Sequence, residues 1–263
     1  MLPEKKMVGF ADEKGSVAAV YEDGAIAQSY LDKRMRFSWQ RLLHARQVAI
    51  LQSAITQYRP TRLLEVAPGP ARLATDLRGI RRGTMVENSQ EMVAIARGRL
   101  QAQGLADVWS VLKGDAFALD ASVESAAYDF AYTFRFLRHF RDAERFRLYE
   151  QLRRSLVPGG LLVFDVVGSV MFDRVERKNP RKPADEIAIY DVAYTPETFT
   201  SEMSEHGFDT VRLVPVLRHF GIQSLISYKL DDVLPALTGL LVGLCERIPS
   251  AAPLEWVAVC RKK

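Results

Sequence analysis

The sequence predicts an α/β protein built on an open, mostly parallel sheet. From residue 59 onward, short apolar runs that end in acidic or small residues alternate with segments of helical spacing. Residues 161–167, LLVFDVV, form an apolar run broken only by Asp165, which is typical of a strand buried on both faces. The chain has 263 residues, 48% hydrophobic and 26% charged, and this composition suits one large globular domain with insertions.

Charge, cysteine content and hydropathy exclude several classes of protein. The formal net charge of +4 is a mild excess spread along the chain, which is typical of a soluble protein rather than of a dedicated nucleic-acid surface. Cys245 and Cys260 lack metal-type spacing, so we expect a reducing compartment and no metal site. The N-terminus lacks the apolar core of a signal peptide, and the longest apolar stretch, 233–245, is too short to span a bilayer. We therefore expect a cytoplasmic protein without a transmembrane segment.

The N-terminal part, residues 1–58, is predicted to be a leader followed by a helix. Residues 1–26 show no period, whereas apolar residues recur at helical spacing through 28–58, until Arg59-Pro60 ends the pattern. Tyr30, with a neighbouring arginine, either closes over a ligand's carboxylate or belongs to a solvated helix face. Residues 59–263 then form the main domain.

The stretch RLLEVAPGPARLATD at residues 62–76 is the centre of that domain. Its apolar start predicts a strand, the Pro and Gly residues at 68–70 predict a tight turn, and the residues after them predict a helix. Ligands bind at such turns on the carboxyl edge of an open α/β sheet. Because the carboxylate of Glu65 repels phosphate and attracts a cation, this strand end favours a positively charged or hydroxyl-rich ligand.

Two further strand ends carry acidic residues that can hold parts of a nucleoside. Glu87 ends a short strand 22 positions after Glu65, where an acidic residue can accept hydrogen bonds from a ribose diol. The alternative is a surface glutamate favoured by a helix N-terminus. Asp115 follows a strand at 109–112 and can accept from an adenine amine, while the backbone of Ala116 can bond to the ring.

The later elements continue the alternation of strands and helices. A strand at 128–133 leads into a basic helix at 142–156, which Pro158-Gly159-Gly160 ends before the buried strand. The remaining elements are predicted as an exposed loop at 168–186, a helix capped by Thr195, a strand at 208–217, a helix at 231–247 and a last strand at 255–260. We expect two insertions, 168–194 and 218–253, to cover a ligand.

Four motifs in this order resemble those of class I S-adenosylmethionine-dependent methyltransferases. Residues 65–71, EVAPGPA, resemble the family's acidic residue and glycine-rich turn. Residues 87–92, ENSQEM, match an acidic residue followed by S-x-E-M. Gly-Asp-Ala at 114–116 and LVPGG at 156–160 match the other two motifs. The likeness runs from residue 62 to about residue 167.

The resemblance implies both a fold and a cofactor. The fold is a Rossmann-like, doubly wound sheet of seven mostly parallel strands with an antiparallel last strand. The cofactor is S-adenosylmethionine, and the residues expected to bind it are Tyr30, Glu65, Ala67, Gly69, Glu87, Asn88, Met92, Asp115, Ala116 and Thr133. Ala67 and Ala71 stand where the family has glycine, and alanine is tolerated there if φ is negative.

The resemblance also implies methyl transfer to an oxygen or nitrogen of a small-molecule acceptor. The base that takes the acceptor's proton is predicted to be His139, after the fourth strand, or His219, inside the second insertion. His139 has an alternative structural role, in which it pairs near Arg138 or Asp142. Lesser candidates for the base are His206, Tyr194 and Asp165, and the aromatic residues expected around the acceptor are Phe134, Phe136 and Tyr194.

Other functions stay open at the level of the sequence. The arginine-rich helix can bind RNA, giving an RNA or protein methyltransferase, although its interspersed acidic residues favour a salt-bridged, solvated face. The chain can also be a catalytically silent subunit that binds a cofactor or a partner. We expect no specific nucleic-acid partner and a monomer or homodimer, with residues 233–245 as a core or lid helix, a dimer contact or a surface for a lipid-like acceptor.

Overall fold

The computed structural model describes residues 31–32, 34–178 and 191–263 of the chain, which contain one mixed sheet. Its strands are β1 (Leu63–Val66), β2 (Gly83–Glu87), β3 (Trp109–Lys113), β4 (Tyr128–Thr133), β5 (Leu156–Gly168), β6 (Ala193–Tyr194), β7 (Phe208–Val216) and β8 (Glu255–Lys262). Their order is β3-β2-β1-β4-β5-β8-β7, and the short β6 pairs with the end of β5. The last strand, β8, runs antiparallel to both of its neighbours, β5 and β7, so the predicted fold class is confirmed.

Helices cover both faces of the sheet. They are α1 (Ser38–Tyr58), α2 (Gln90–Ala102), α3 (Asp142–Ser155), α4 (Ser169–Lys178), α5 (Pro196–Glu205), α6 (Phe220–Leu230) and α7 (Pro235–Arg247). One apolar cluster packs α1 and α2 against one face, and a second packs α3 and α5 against the other. None of the helices in the described ranges is both long enough and apolar enough to cross a bilayer.

Two helices begin at the caps that the sequence indicates. The Ser89 hydroxyl accepts a hydrogen bond from the Met92 N–H at 3.3 Å, which starts α2 directly after β2. The Thr195 hydroxyl accepts from the Thr198 N–H at 3.3 Å, and Pro196 takes the first position of α5. Capping at α2 fixes where the chain turns away from the sheet, directly beside Glu87.

The segment after β1 differs from the prediction. In place of an α-helix, it forms turns and a short 3-10 helix, Ala74–Asp76. Ala71 has a left-handed backbone and Leu77 an extended one, so only five residues lie between two non-helical positions. That length is too short for a stable α-helix. The chain beside the first turn is therefore a loop rather than a helix N-terminus.

Both insertions contain more helix than the sequence indicates. The first, predicted as an exposed loop at 168–186, begins with α4, and residues 179–190 lie outside the described part. The second contains α6 in addition to the predicted helix that corresponds to α7. The helices α6 and α7 form a pair that packs on α1, where the Ser38 hydroxyl donates to the Asp231 carboxylate and Arg41 pairs with the same group.

The predicted solvated arginine face is only partly correct. Arg154 and Glu150 form an exposed i,i+4 ion pair at 2.7 Å on α3, as expected. Arg145, however, is 1% exposed, and its guanidinium donates to Glu202 of α5 at 2.9 Å and to the Phe140 carbonyl at 2.8 Å. This arginine joins α3 to α5 and is not available to bind RNA.

Candidate functional site

A cavity of about 290 Å³ opens at the carboxyl ends of β1, β2, β3 and β4. The chain order reverses between β1 and β4, and such a reversal leaves a crevice above the strand ends where ligands bind. Eight of the ten predicted cofactor-binding residues line this cavity: Glu65, Ala67, Gly69, Glu87, Asn88, Met92, Asp115 and Ala116. Of the other two, Thr133 ends β4 and is fully buried outside the lining, and Tyr30 lies outside the described residues.

The turn after β1 has a left-handed backbone at three alternate positions. The φ angles are 53° at Ala67, 56° at Gly69 and 54° at Ala71, so the condition under which alanine is well tolerated, a negative φ, is not met at either alanine. A left-handed alanine costs roughly 1–2 kcal/mol because its Cβ crowds the following carbonyl oxygen. The conformation of a glycine-rich turn is thus kept although two of its glycines are replaced. A Cβ at Gly69 would meet no protein atom within 4 Å, which leaves its face open to the cavity.

Replacing either alanine by glycine is expected to stabilise the protein. Ala71→Gly removes strain of roughly 1–2 kcal/mol from the folded state. It also gives the unfolded chain more backbone freedom, which stabilises the unfolded state by about 0.4–1 kcal/mol. The expected net gain in the free energy of unfolding is about 0.5–1 kcal/mol. Urea denaturation of Ala67→Gly and Ala71→Gly measures it, with Ala96→Gly inside α2 as a control that should lose stability. A loss in all three variants would show that the turn is not strained.

Glu87 holds the first turn and the start of α2 together. Its Oε2 accepts a hydrogen bond from the Gly69 N–H at 2.9 Å, and its Oε1 accepts from the Ser89 N–H at 2.9 Å. Burial raises the pKa of this carboxyl group, while the backbone donors lower it. A carboxylate has about four acceptor positions, and these backbone N–H groups do not fill all of them, so acceptor capacity remains for a ligand in the cavity.

Glu65 is a buried carboxyl group at the end of β1. It is 3% exposed and accepts a hydrogen bond from the Tyr132 hydroxyl at 2.9 Å. Burial raises its pKa to about 8, against the Tyr132 hydrogen bond and the charge of Arg72, which both lower it. In the free protein at neutral pH, Glu65 is therefore mostly protonated, and a cation placed beside it would favour the carboxylate.

Arg72 lies in the site but was not predicted from the sequence. Its guanidinium lines the cavity and donates to His44 Nδ1 at 2.6 Å and to Gln47 Oε1 at 3.0 Å, both on α1. Burial and the charge of Arg72 lower the pKa of His44, whose Nε2 bonds to Asp76 at 2.6 Å. The partners lie 25 and 28 residues away in the sequence, so no local pattern connects them.

The far wall of the cavity is aromatic and includes His139. Phe134, Phe136 and Phe140 line this side, and Phe136 meets Phe140 edge to face at 4.9 Å between ring centroids. His139 Nδ1 lies 2.9 Å from Asp191 Oδ1. The hydrogen bond of His139 and the charge of Arg138 outweigh burial and hold the pKa of Asp191 below its usual range. An ionised Asp191 only accepts, so Nδ1 of His139 donates the hydrogen bond that joins the two side chains.

Arg138 fixes the position of Asp191. Its guanidinium donates to Asp191 through Nε at 2.7 Å and through Nη2 at 3.1 Å, and it also bonds to Asp165 and Glu255 at 3.1 Å each. One buried cation thus joins the end of β5, the start of β8 and the carboxylate beside His139. The sequence left open that His139 pairs near Arg138 or Asp142. In the structure, the carboxylate that pairs with His139 is that of Asp191.

The remaining candidate bases lie away from the cavity lining. The His219 ring bonds to the Ile248 carbonyl at 3.2 Å, between the start of α6 and the end of α7. His206 packs on Phe146 at 4.1 Å, and the Tyr194 hydroxyl donates to Glu202 at 2.7 Å. Within the described residues, no part of 168–178, 191–194 or 218–253 lines the cavity, so the predicted cover of the acceptor by these insertions has no support from the described part.

Comparisons with known proteins agree with the fold and the motifs. Residues 63–160 match the family model described as a methyltransferase domain. Solved structures with this fold include the (4+2)-cyclase SpnF, with 19% identity, 94% of each chain covered and a TM-score of 0.63. A possible histamine N-methyltransferase from Thermotoga maritima has 19% identity, covers 93% of this chain and 100% of its own, and gives a TM-score of 0.59. The DhpI–SAH complex has 17% identity, coverage of 94% and 98%, and a TM-score of 0.55. No curated protein sequence matches the chain significantly.

Proposed function

We propose that this chain, a class I S-adenosylmethionine-dependent methyltransferase, moves a methyl group from S-adenosylmethionine to an oxygen or nitrogen of a small molecule. The observation that carries the proposal is the convergence of Glu65, Gly69, Glu87 and Asp115 on one cavity. These residues come from three strand ends, and their chemistry matches a ligand that carries cations, a ribose and an adenine.

The residues present fit that cofactor. Glu65 faces the sulfonium and amino groups, directly or through water, and the open face of Gly69 allows a close approach of the ligand to the backbone. Glu87 has acceptor positions left for the ribose hydroxyls. Asp115 and the backbone of Ala116 face the adenine. Arg72 is a buried cation in the cavity lining and would pair with the carboxylate of the cofactor's methionine part.

Methyl transfer requires the protein to position an acceptor and to remove its proton. When bound, the cofactor supplies an already activated methyl carbon, which the acceptor attacks in line. The aromatic wall of Phe134, Phe136 and Phe140 holds an apolar acceptor and excludes water. His139 takes the acceptor's proton on Nε2, and Asp191 stabilises the imidazolium that forms.

The features of the cavity favour a small acceptor over RNA or protein. Phenylalanine side chains form one side of its lining, and the buried Arg145 is unavailable to a phosphate backbone. Calorimetric titration with S-adenosylmethionine tests the cofactor, and transfer of a radiolabelled methyl group to a metabolite mixture tests the reaction. Absence of heat and of a thermal shift at millimolar cofactor would refute the proposal. Steeply salt-dependent binding to generic RNA would favour the RNA alternative.

Cofactor binding is expected to release a proton at neutral pH. Free Glu65, with a pKa of about 8, holds its proton at pH 7, and a bound cation lowers that pKa. Affinity should therefore rise with pH up to about 8. The folded free protein also holds the Glu65 proton more tightly than the unfolded chain does. The resulting stability is fully present below about pH 4.5 and is lost as the pH rises through 8. Titrations in two buffers of different ionisation enthalpy measure the proton, and Glu65→Gln should abolish it. Equal heats in both buffers for the wild type would contradict the prediction.

A second candidate is a subunit that binds the cofactor without transferring its methyl group. It is favoured by Ala67 and Ala71, because the Cβ of Ala67 lies at the cavity wall, where the family has glycine. The same titration and transfer assays separate the two candidates. Binding without turnover on any acceptor would favour the silent subunit.

A further inference from the structure

The helix pair α6–α7 has its polar side chains inside and its apolar side chains outside. The buried positions of the pair are mainly polar: Gln223, Ser227, Thr238 and Glu246. Eleven large apolar side chains are exposed in the described part of the chain, and nine of them belong to this pair and its flanks. These nine are Ile222, Leu225, Tyr228, Val233, Leu234, Leu237, Leu240, Leu244 and Ile248. A soluble monomer has no physical reason to present such a face to water.

The exposed residues of α7 form one continuous stripe. Leu237, Leu240 and Leu244 recur at intervals of three and four, and Ile248 extends the stripe past the helix end. The opposite face of α7 is buried and contains Thr238, Val242 and Glu246, so the exposed stripe is the more apolar side of this helix. The three-and-four spacing is the pattern that packs against another helix.

The two helices are antiparallel and present their exposed faces together. Gln223, near the start of α6, donates to the Val242 carbonyl at 3.3 Å and to Glu246 at 3.1 Å, near the end of α7. Helices of 11 and 13 residues packed side by side give a face roughly 20 Å across in each direction. A footprint of roughly 400 Å² suits a small interface, below the standard size of about 800 Å² of accessible surface per partner.

We propose that this face binds the same face of a second copy across a twofold axis, so that two helix pairs form a four-helix bundle. One charge pair of the helices matches itself in an antiparallel arrangement. The exposed Asp232 lies at the turn between the helices, next to the exposed Lys229, whereas the exposed Arg247 lies at the open end. In an antiparallel dimer, Asp232 of one copy meets Arg247 of the other. Such pairing sets the orientation, while the leucine stripe provides the affinity.

A membrane surface fits this face less well than a second copy. Residues 218–250 contain three basic residues, Arg218, Lys229 and Arg247, and three acidic residues, Asp231, Asp232 and Glu246, so their net charge is zero. Helices that lie on membranes usually bring an excess of Lys and Arg to anionic lipids. Asp231 and Glu246 are turned inward, so the exposed charged residues of the pair are Lys229, Arg247 and Asp232. One net positive charge is well below such an excess, so the face favours a protein copy over a lipid.

Sedimentation velocity of the full chain tests the proposal. The wild type is expected to sediment at micromolar concentration with twice the mass of the chain, and Leu240→Glu as a monomer. Leu240 is 60% exposed, so its replacement should leave circular dichroism and cofactor binding unchanged. Val211→Glu is the matched control: Val211 is 44% exposed on β7, outside the pair, and this variant should stay dimeric.

Charge reversal tests the orientation separately. Asp232→Arg should weaken the dimer several-fold, and Arg247→Asp in the same chain should restore it. A monomeric wild type, a dimeric Leu240→Glu variant, or a monomer that co-sediments with phosphatidylserine vesicles would overturn the proposal. None of these outcomes depends on whether the cavity binds S-adenosylmethionine.

Discussion

Replacing Glu87 by Ala is expected to weaken the binding of S-adenosylhomocysteine by about 10- to 100-fold, because hydrogen bonds to a charged group contribute about 1.5–3 kcal/mol. The sequence alone predicts this loss without unfolding of the protein. The hydrogen bonds from the Gly69 and Ser89 N–H groups add an expected cost in stability. Two donors left unpaired should lower the free energy of unfolding by about 2–4 kcal/mol. Calorimetric titration and urea denaturation measure the two effects.

Two further variants separate binding from folding at this position. Glu87→Gln keeps one acceptor oxygen and the side-chain volume, so it should lose less stability than the alanine variant while still losing affinity. Glu91→Ala is the control, since Glu91 lies exposed on the first turn of the same helix. If Glu87→Ala binds S-adenosylhomocysteine with wild-type affinity at a temperature where the variant is folded, Glu87 does not bind the ribose.

Replacing His139 by Gln is expected to lower kcat by about 100- to 1,000-fold, the range for a positioned general base. The affinity for S-adenosylhomocysteine should stay within about twofold of the wild type, because the cofactor-facing residues come from other strand ends. Asp191→Asn should lower kcat by a smaller factor, since the ring remains but its orientation and tautomer are no longer fixed. Turnover of the acceptor found by the radiolabel screen is the measurement.

His219→Gln is the matched control for His139→Gln. Both residues are predicted bases, but His219 bonds to the Ile248 carbonyl outside the cavity lining. The control should keep wild-type turnover, and the pH dependence of kcat on its acid side should flatten only in the His139 variant. A fall in kcat for His219→Gln, with kcat of His139→Gln unchanged, would show that His219 rather than His139 is the base.

The ends of the strands could be predicted because they depend on local signals. The apolar runs before Glu65, Glu87 and Asp115 fix where each strand stops, and the parallel arrangement brings these ends to one edge. The caps at Ser89 and Thr195 are also local, since a side chain bonds to an N–H three residues later. These signals need no knowledge of which distant surfaces meet.

The partners of the site residues could not be predicted from local signals. His139 and Asp191 are 52 positions apart, and Arg72 bonds to α1 across 25 and 28 positions. Each pairing depends on which loops the finished sheet brings together. The left-handed alanines belong to the same class, because the backbone of the turn is set by the strand before it and by Glu87 of the neighbouring strand.

The sequence by itself determined the order of the elements, the acidic strand ends and the methyltransferase motifs, since these follow from spacing along the chain. The tertiary structure decided three further features: the strain in the first turn, the Asp191–His139 pair and the apolar outer face of α6–α7. Each depends on contacts between segments far apart in sequence. The 233–245 stretch shows the difference most clearly, because its hydropathy indicates burial, whereas packing on α1 leaves its leucines facing outward.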